Sequence, residues 1–197
     1  MRKRFLVPVL AAALLPAAAP AQGSLGLDLE AESPRATASV YALTLVGGDG
    51  PTEISIVLSA DGSTYVIKAN GPVAEVAGCR NKVDDPNELR CPAGQISSFI
   101  VRGMGGNDTV TVAKSVRVST FLYGGEGADS LSGGDGADKL VGNEGADTLA
   151  GRAGADFLYG LEGDDELFGG DGNDVVRGGP GKDVVTGGHG SNDDVQE

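Results

Sequence analysis

From residue 124 to 186 the aliphatic positions fall on one place in every nine: Leu131, Leu140, Leu149, Leu158, Leu167, Val176 and Val185. Each stands in a three-residue stretch between glycine-rich turns, a pattern that predicts short strands with only the middle side chain facing inward. Two such units complete a coil, so residues eighteen apart stack, with successive strands about 4.8 Å apart. The resulting fold is all-β, a parallel β-roll or β-solenoid. Upstream the pattern changes. VYALTLV (40–46), EISIVLS (53–59) and STYVIKA (63–69) are β-rich runs separated by GGDGPT and ADG turns. They are a degenerate continuation of the winding or a small separate sheet. VAKSVRVSTFLY (112–123) alternates in part and predicts a longer strand.

The chain divides accordingly. Arg2, Lys3 and Arg4 precede FLVPVLAAALLPAAA and the small-residue Ala19-Pro20-Ala21, so residues 1–21 read as a secretory signal peptide. Residues 22–36 form a polar leader, 37–102 a β-rich region and 103–197 the roll. No later segment is long and apolar enough for a spanning helix. An exported chain meets an oxidising compartment, so Cys79 and Cys91 are expected to form a structural disulfide.

Charge separates the two halves. Residues 124–197 carry 17 acidic against 4 basic side chains, which equals the net charge of −13 for the whole chain. Excess acid, few aromatics and abundant glycine describe a chain that cannot fold unaided. The same balance argues against nucleic-acid or anionic-membrane partners.

The acid is placed with a period. Seven units run without a break from GGEGADSLS to GGPGKDVVT, each with aspartate in sixth place: Asp129, Asp138, Asp147, Asp156, Asp165, Asp174 and Asp183. An eighteen-residue coil sorts them into two files, 129/147/165/183 and 138/156/174. Carboxylates stacked at strand spacing repel unless a cation sits between them. Carboxylate and turn-carbonyl oxygens suit calcium, which takes 6–8 oxygens; zinc or copper would want His or Cys. Three gaps in one file and two in the other give about five ions, with a sixth if the terminal turn takes part. GMGGNDTVT (103–111) puts Asp108 in sixth place, 21 residues before Asp129, as a turn residue and candidate ligand. GGDGPTEIS (47–55) puts Thr52 there. In GGHGSNDDV (187–195) a one-residue insertion would restore Asp193 as ligand and Val195 inside, a degraded cap.

These GGxGxDxUx units resemble the RTX (haemolysin-type) calcium-binding repeat family, closely over 124–186 and loosely back to 103. The resemblance implies a right-handed parallel β-roll with calcium held by the sixth-position aspartates and turn carbonyls. Position 2 departs from glycine at Asn143, Arg152 and Leu161. Many members of the family lack an N-terminal signal; this chain has one, which points to general export and to small exported bacterial calcium-binding proteins.

Little suggests an enzyme. HExxH, GxSxG, GxGxxG and P-loop patterns are missing, and His189 stands alone in a glycine-rich end. Carboxylate pairs such as Asp164-Asp165 belong to the repeat period. Phe157, Tyr159 and Phe168 flank inward positions and should be partly exposed, while no regular Thr-x-Asn file points to ice binding. The expectation is a secreted, non-enzymatic calcium-binding protein. The alternative is a calcium-stiffened surface adhesin or matrix module with a cell-surface or matrix partner.

Overall fold

The computed structural model describes residues 41–71, 73, 78–190 and 194–196. The expected signal peptide, leader and Asn192–Asp193 cap lie outside the described residues. The strands are β1 (Tyr41–Val46), β2 (Glu53–Leu58), β3 (Thr64–Ala69), β4 (Arg80–Lys82), β5 (Asp85–Pro92), β6 (Ile96–Gly105), β7 (Thr109–Val112) and β8 (Ser119–Glu126). There follow β9 (Ser130–Ser132), β10 (Lys139–Glu144), β11 (Thr148–Ala153), β12 (Phe157–Glu162), β13 (Glu166–Asp171), β14 (Val175–Arg177), β15 (Val184–Gly188) and β16 (Asp194–Gln196).

Apart from β2 to β5, successive strands alternate between two sheets, which is the β-solenoid. One sheet runs β1-β6-β8-β10-β12-β14-β16 with every pairing parallel. The other runs β15-β13-β11-β9-β7-β2 in parallel and continues antiparallel through β3, β5 and β4. The open question about the N-terminal half therefore has a double answer. β1 and β2 belong to the same winding as the repeats, while β3 to β5 widen one sheet between the first coil and the second.

Between the sheets the eighth-position side chains form two ladders. Leu140 sits in register with Leu122 and Leu158, and Leu149 with Leu131 and Leu167. All six are buried. The ladder is one side chain deep because the strands run straight into glycine-rich turns, so only the eighth position of each unit supplies a large inward side chain. The first coils have longer strands and a thicker core. Leu43 and Leu45 lie beside Phe99 and Val101, and Tyr65 meets Phe99 edge-to-face at 5.0 Å. Cys79 and Cys91 flank the β4–β5 ladder, and their disulfide is present and buried. Glu88, buried on β5, is neutralised by Arg90 at 2.7 Å, Lys68 at 3.4 Å and Lys82 at 3.8 Å.

The long strand expected over 112–123 is not formed. β7 stops at Val112, the chain turns through 113–118 and β8 begins at Ser119. Val116 is drawn into the core, its amide bonded to the Ala113 carbonyl, so burial of one valine bends what alternation alone would have kept straight. This connection is also why the nine-residue phase slips. It lengthens the step from Asp108 to Thr120 to twelve residues, after which Thr120 to Asp129 is nine again. At the far end Val195 pairs beneath Val176, nineteen residues away, as the one-residue insertion requires. It is 40% exposed, because nothing among the described residues stacks below β16.

Leu149→Ala should cost about 2–5 kcal/mol, the range for an aliphatic truncated in a core that cannot collapse. Phe157, 47% exposed on the outer face, should lose under about 0.5 kcal/mol on truncation to Ala. Urea denaturation in saturating calcium compares the two.

Candidate metal centre

The turns put every sixth position on an edge of the roll and join them by one repeated bond. In the first file the Thr52 amide donates to Asp108 Oδ1 (2.7 Å), Asp108 to Asp129 (2.8 Å), Asp129 to Asp147 (2.8 Å), Asp147 to Asp165 (2.8 Å) and Asp165 to Asp183 (3.0 Å). In the second, Thr120 donates to Asp138 (2.7 Å), Asp138 to Asp156 (2.8 Å) and Asp156 to Asp174 (2.9 Å). Both sets of aspartates are thus brought together as the period predicts, and Asp108 joins the first file despite its broken phase. Thr120 was missed by the motif, although Phe121–Tyr123 stands nine residues before the strand Ser130–Ser132 and Thr120 itself nine before Asp129.

One oxygen of each carboxylate is used this way. The other, Oδ2, is buried without a hydrogen-bond partner in Asp108, Asp129, Asp147, Asp156 and Asp165. These residues are at most 3% exposed. Unpaired carboxylate oxygens are among the most costly groups to bury. The glycines show where these oxygens point. A Cβ added to Gly124 would lie 2.0 Å from Asp129 Oδ2 and 2.8 Å from the Gly142 carbonyl of the next coil. At Gly142 the distances are 2.1 Å to Asp147 Oδ2 and 2.9 Å to the Gly160 carbonyl. Position 1 is glycine because a methyl group would fill a gap lined by a carboxylate oxygen and a main-chain carbonyl. Position 4 answers a different demand: Gly145 has φ +132°, and a Cβ there would stand 1.9 Å from the Gly127 carbonyl.

Asn143, Arg152 and Leu161 hold the same turn without glycine, at φ of 84°, 81° and 79°. The left-handed backbone survives these replacements at roughly 1–2 kcal/mol each.

Burial raises the carboxyls against their ordinary range, with amide hydrogen bonds partly offsetting it and neighbouring aspartates adding to it. Asp129 and Asp147 are pushed up to about 6 and Asp156 to about 7. Asp108, Asp138 and Asp165 are also raised. Such a file is unfavourable as bare anions, and a hard cation in the gaps relieves it. No group of three acidic, His or Cys side chains converges among the described residues. A gap here offers carboxylates from two turns and main-chain carbonyls. Asp183, last in its file, is half-buried, and His189 is an exposed turn residue 3.3 Å from Asp171.

A family model for the RTX calcium-binding nonapeptide repeat (4 copies) matches residues 123–158, 141–176 and 159–193. This stretch of the chain carries RTX calcium-binding repeats, and its buried aspartate series fits calcium sites. Searches of curated proteins and of solved structures gave no match.

Two outcomes are expected. Gly142→Ala should destabilise the calcium-loaded protein by about 1–3 kcal/mol through overpacking of one gap, whereas Gly50→Ala, with open space around it, should not; thermal melts decide. The pH dependence has a definite sign. Carboxyls raised to about 6–7 in the fold titrate near 3.9 when unfolded, so protonation favours the metal-free roll below about pH 4 and that support is lost as pH rises through 6–7. In chelator, circular dichroism should show more β-structure at about pH 4.5 than at pH 8, and calcium affinity should fall on acidification.

Proposed function

We propose that this chain is an exported, non-enzymatic calcium-binding protein whose repeat region folds when Ca2+ enters the gaps between stacked turns. The observation that carries the reading is the series of buried, unpaired Oδ2 atoms, each facing the first carbonyl of the next coil. The ligands are Asp129, Asp147, Asp165 and Asp183 in one file and Asp138, Asp156 and Asp174 in the other, completed by turn carbonyls. About five ions fill the gaps between consecutive repeat turns, and Asp108 with Asp129 lines one more.

Calcium and folding are coupled because the repeats have a core one side chain deep and a charge of −13 to neutralise. The first coils, with their thicker core and disulfide, fold without the ion. Export is supported by residues 1–21 and by the disulfide, which belongs to an oxidising compartment. Low calcium inside the cell keeps the repeats loose for translocation. Outside, sites of extracellular modules bind with dissociation constants of about 0.1–1 mM, enough to close them.

A surface or matrix role is the second reading. It is favoured by one feature, an open groove of about 450 Å³ on the outer face of the seven-stranded sheet, lined by Phe121, Phe157, Tyr159 and Lys139. Cell-surface retention with calcium-dependent adhesion supports it; free diffusion into the medium supports the first.

Far-UV circular dichroism should gain β-signal between chelator and millimolar calcium, and calorimetric titration should count about five or six ions. An unchanged spectrum and no heat of binding would overturn the proposal. Asp147→Ala with Asp165→Ala should weaken the first file and leave the second.

A further inference from the structure

The second repeat unit, GGDGADKLV, has full consensus at its turn, yet that turn does not have the repeat geometry. Gly125 and Gly127 have φ of +126° and +122°, and Gly170 and Gly172 +111° and +142°, whereas Gly134 and Gly136 lie outside the left-handed region. The cause is the neighbour it stacks on. The connection 113–118 has no glycine and carries Lys114 and Arg117. Its Val116 carbonyl takes the amide of Asp135 (2.9 Å), and a Cβ on Gly136 would lie 2.6 Å from the Val118 carbonyl. In this altered turn the Gly134 amide donates to Asp138 Oδ2 at 2.8 Å, the atom left unpaired in five other sixth-position aspartates.

A second departure lies at the same place. Arg152 occupies position 2 one coil further on, in the left-handed conformation that glycine should hold. Its Nη1 donates to the Val112 carbonyl, forty residues away and two coils up, past the coil that holds turn 133–138. One residue beyond the Thr111–Ser132 pair that ends the β7–β9 register, Val112 falls in line with Gly133, so Arg152 meets a carbonyl in first position, the kind that lines the gaps elsewhere. Leu161, at the same position in the first file, is instead 41% exposed.

We infer that Arg152 is a tethered cation that takes the place of a metal ion at the head of the Asp138 file and pins the first coil of that file to the N-terminal sheets without calcium. The guanidinium brings a permanent positive charge and directed donors. It does so where the turn above supplies Thr120 rather than an aspartate. A calcium-independent link then joins the repeats to the part of the chain with a thick core, leaving order at the junction before any ion binds. The inference rests on the calcium reading of the gaps but is tested separately from it.

The test is residue-resolved amide exchange on the full mature chain in chelator and in millimolar calcium. In chelator the Thr120, Gly134 and Asp138 amides should stay protected while those of Asp147 and Asp165, in the other file, exchange freely. Arg152→Gln should speed exchange at the first three by about tenfold or more in chelator and change little in calcium; Arg152→Lys should keep most of the protection. Equal rates in wild type and Arg152→Gln, no protection in chelator for the wild type, or Arg152→Lys behaving as Arg152→Gln would each overturn the tethered-cation role. Arg152→Gly, which restores the repeat consensus, guards against a variant that merely misfolds and should match Arg152→Gln. If calcium changes neither spectrum nor exchange anywhere, the calcium reading itself fails, a result distinct from these.

Discussion

Asp108, Asp129, Asp147, Asp156 and Asp165 each tie a coil to the one before it through a carboxylate of which only one oxygen has a hydrogen-bond partner. One oxygen takes the amide of the preceding sixth position; the other is buried against a carbonyl of the following coil. The shape of the roll follows from that geometry. Position 1 must lack a side chain to keep the gap open, position 4 must pass close to a carbonyl, and only position 8 is left for the core. A nine-residue unit has little freedom left once these demands are met. Most of its sequence is therefore addressed to the edge of the roll and not to its interior.

The two halves solve the same folding problem with different means. In the first coils, long strands supply Phe99, Leu43, Leu45 and Tyr65 in layers, a disulfide closes the added hairpin, and Glu88 is surrounded by its own counter-charges. In the repeats the leucine ladder is thin, and acidic side chains outnumber basic ones 17 to 4 over residues 124–197. The aspartate files begin where the thick core gives out. Both files begin on a threonine, Thr52 or Thr120, whose amide offers the first bond without adding charge.

Much of this was legible in the residues because the pattern is local and repeated. The ninefold spacing of Asp129 to Asp183 and of Leu131 to Val185 gives strand, turn, register and file directly. What was not legible depends on neighbours across coils. Alternation over 112–123 looks like one strand until Val116 is claimed by the core. Thr120 hides because its turn has no glycines. The perfect consensus of Gly133–Asp138 conceals a changed turn, since a turn in a solenoid takes its backbone partly from the turn it rests on. Arg152 reads as a flaw in the motif until its reach to Val112 is seen.

The amide-to-carboxylate bonds between sixth positions all point one way: the donor lies in the earlier coil and the acceptor in the later one. A stack assembled from such units has a polarity of growth. A coil with its amides already fixed is a template for the carboxylate of the next, while the main-chain ladder also runs the other way, as from the Phe157 amide to the Asp138 carbonyl. On this bond polarity the thick N-terminal sheets are the end from which the aspartate files start. A chain made amino end first would complete that starting surface before the acidic repeats that wind onto it.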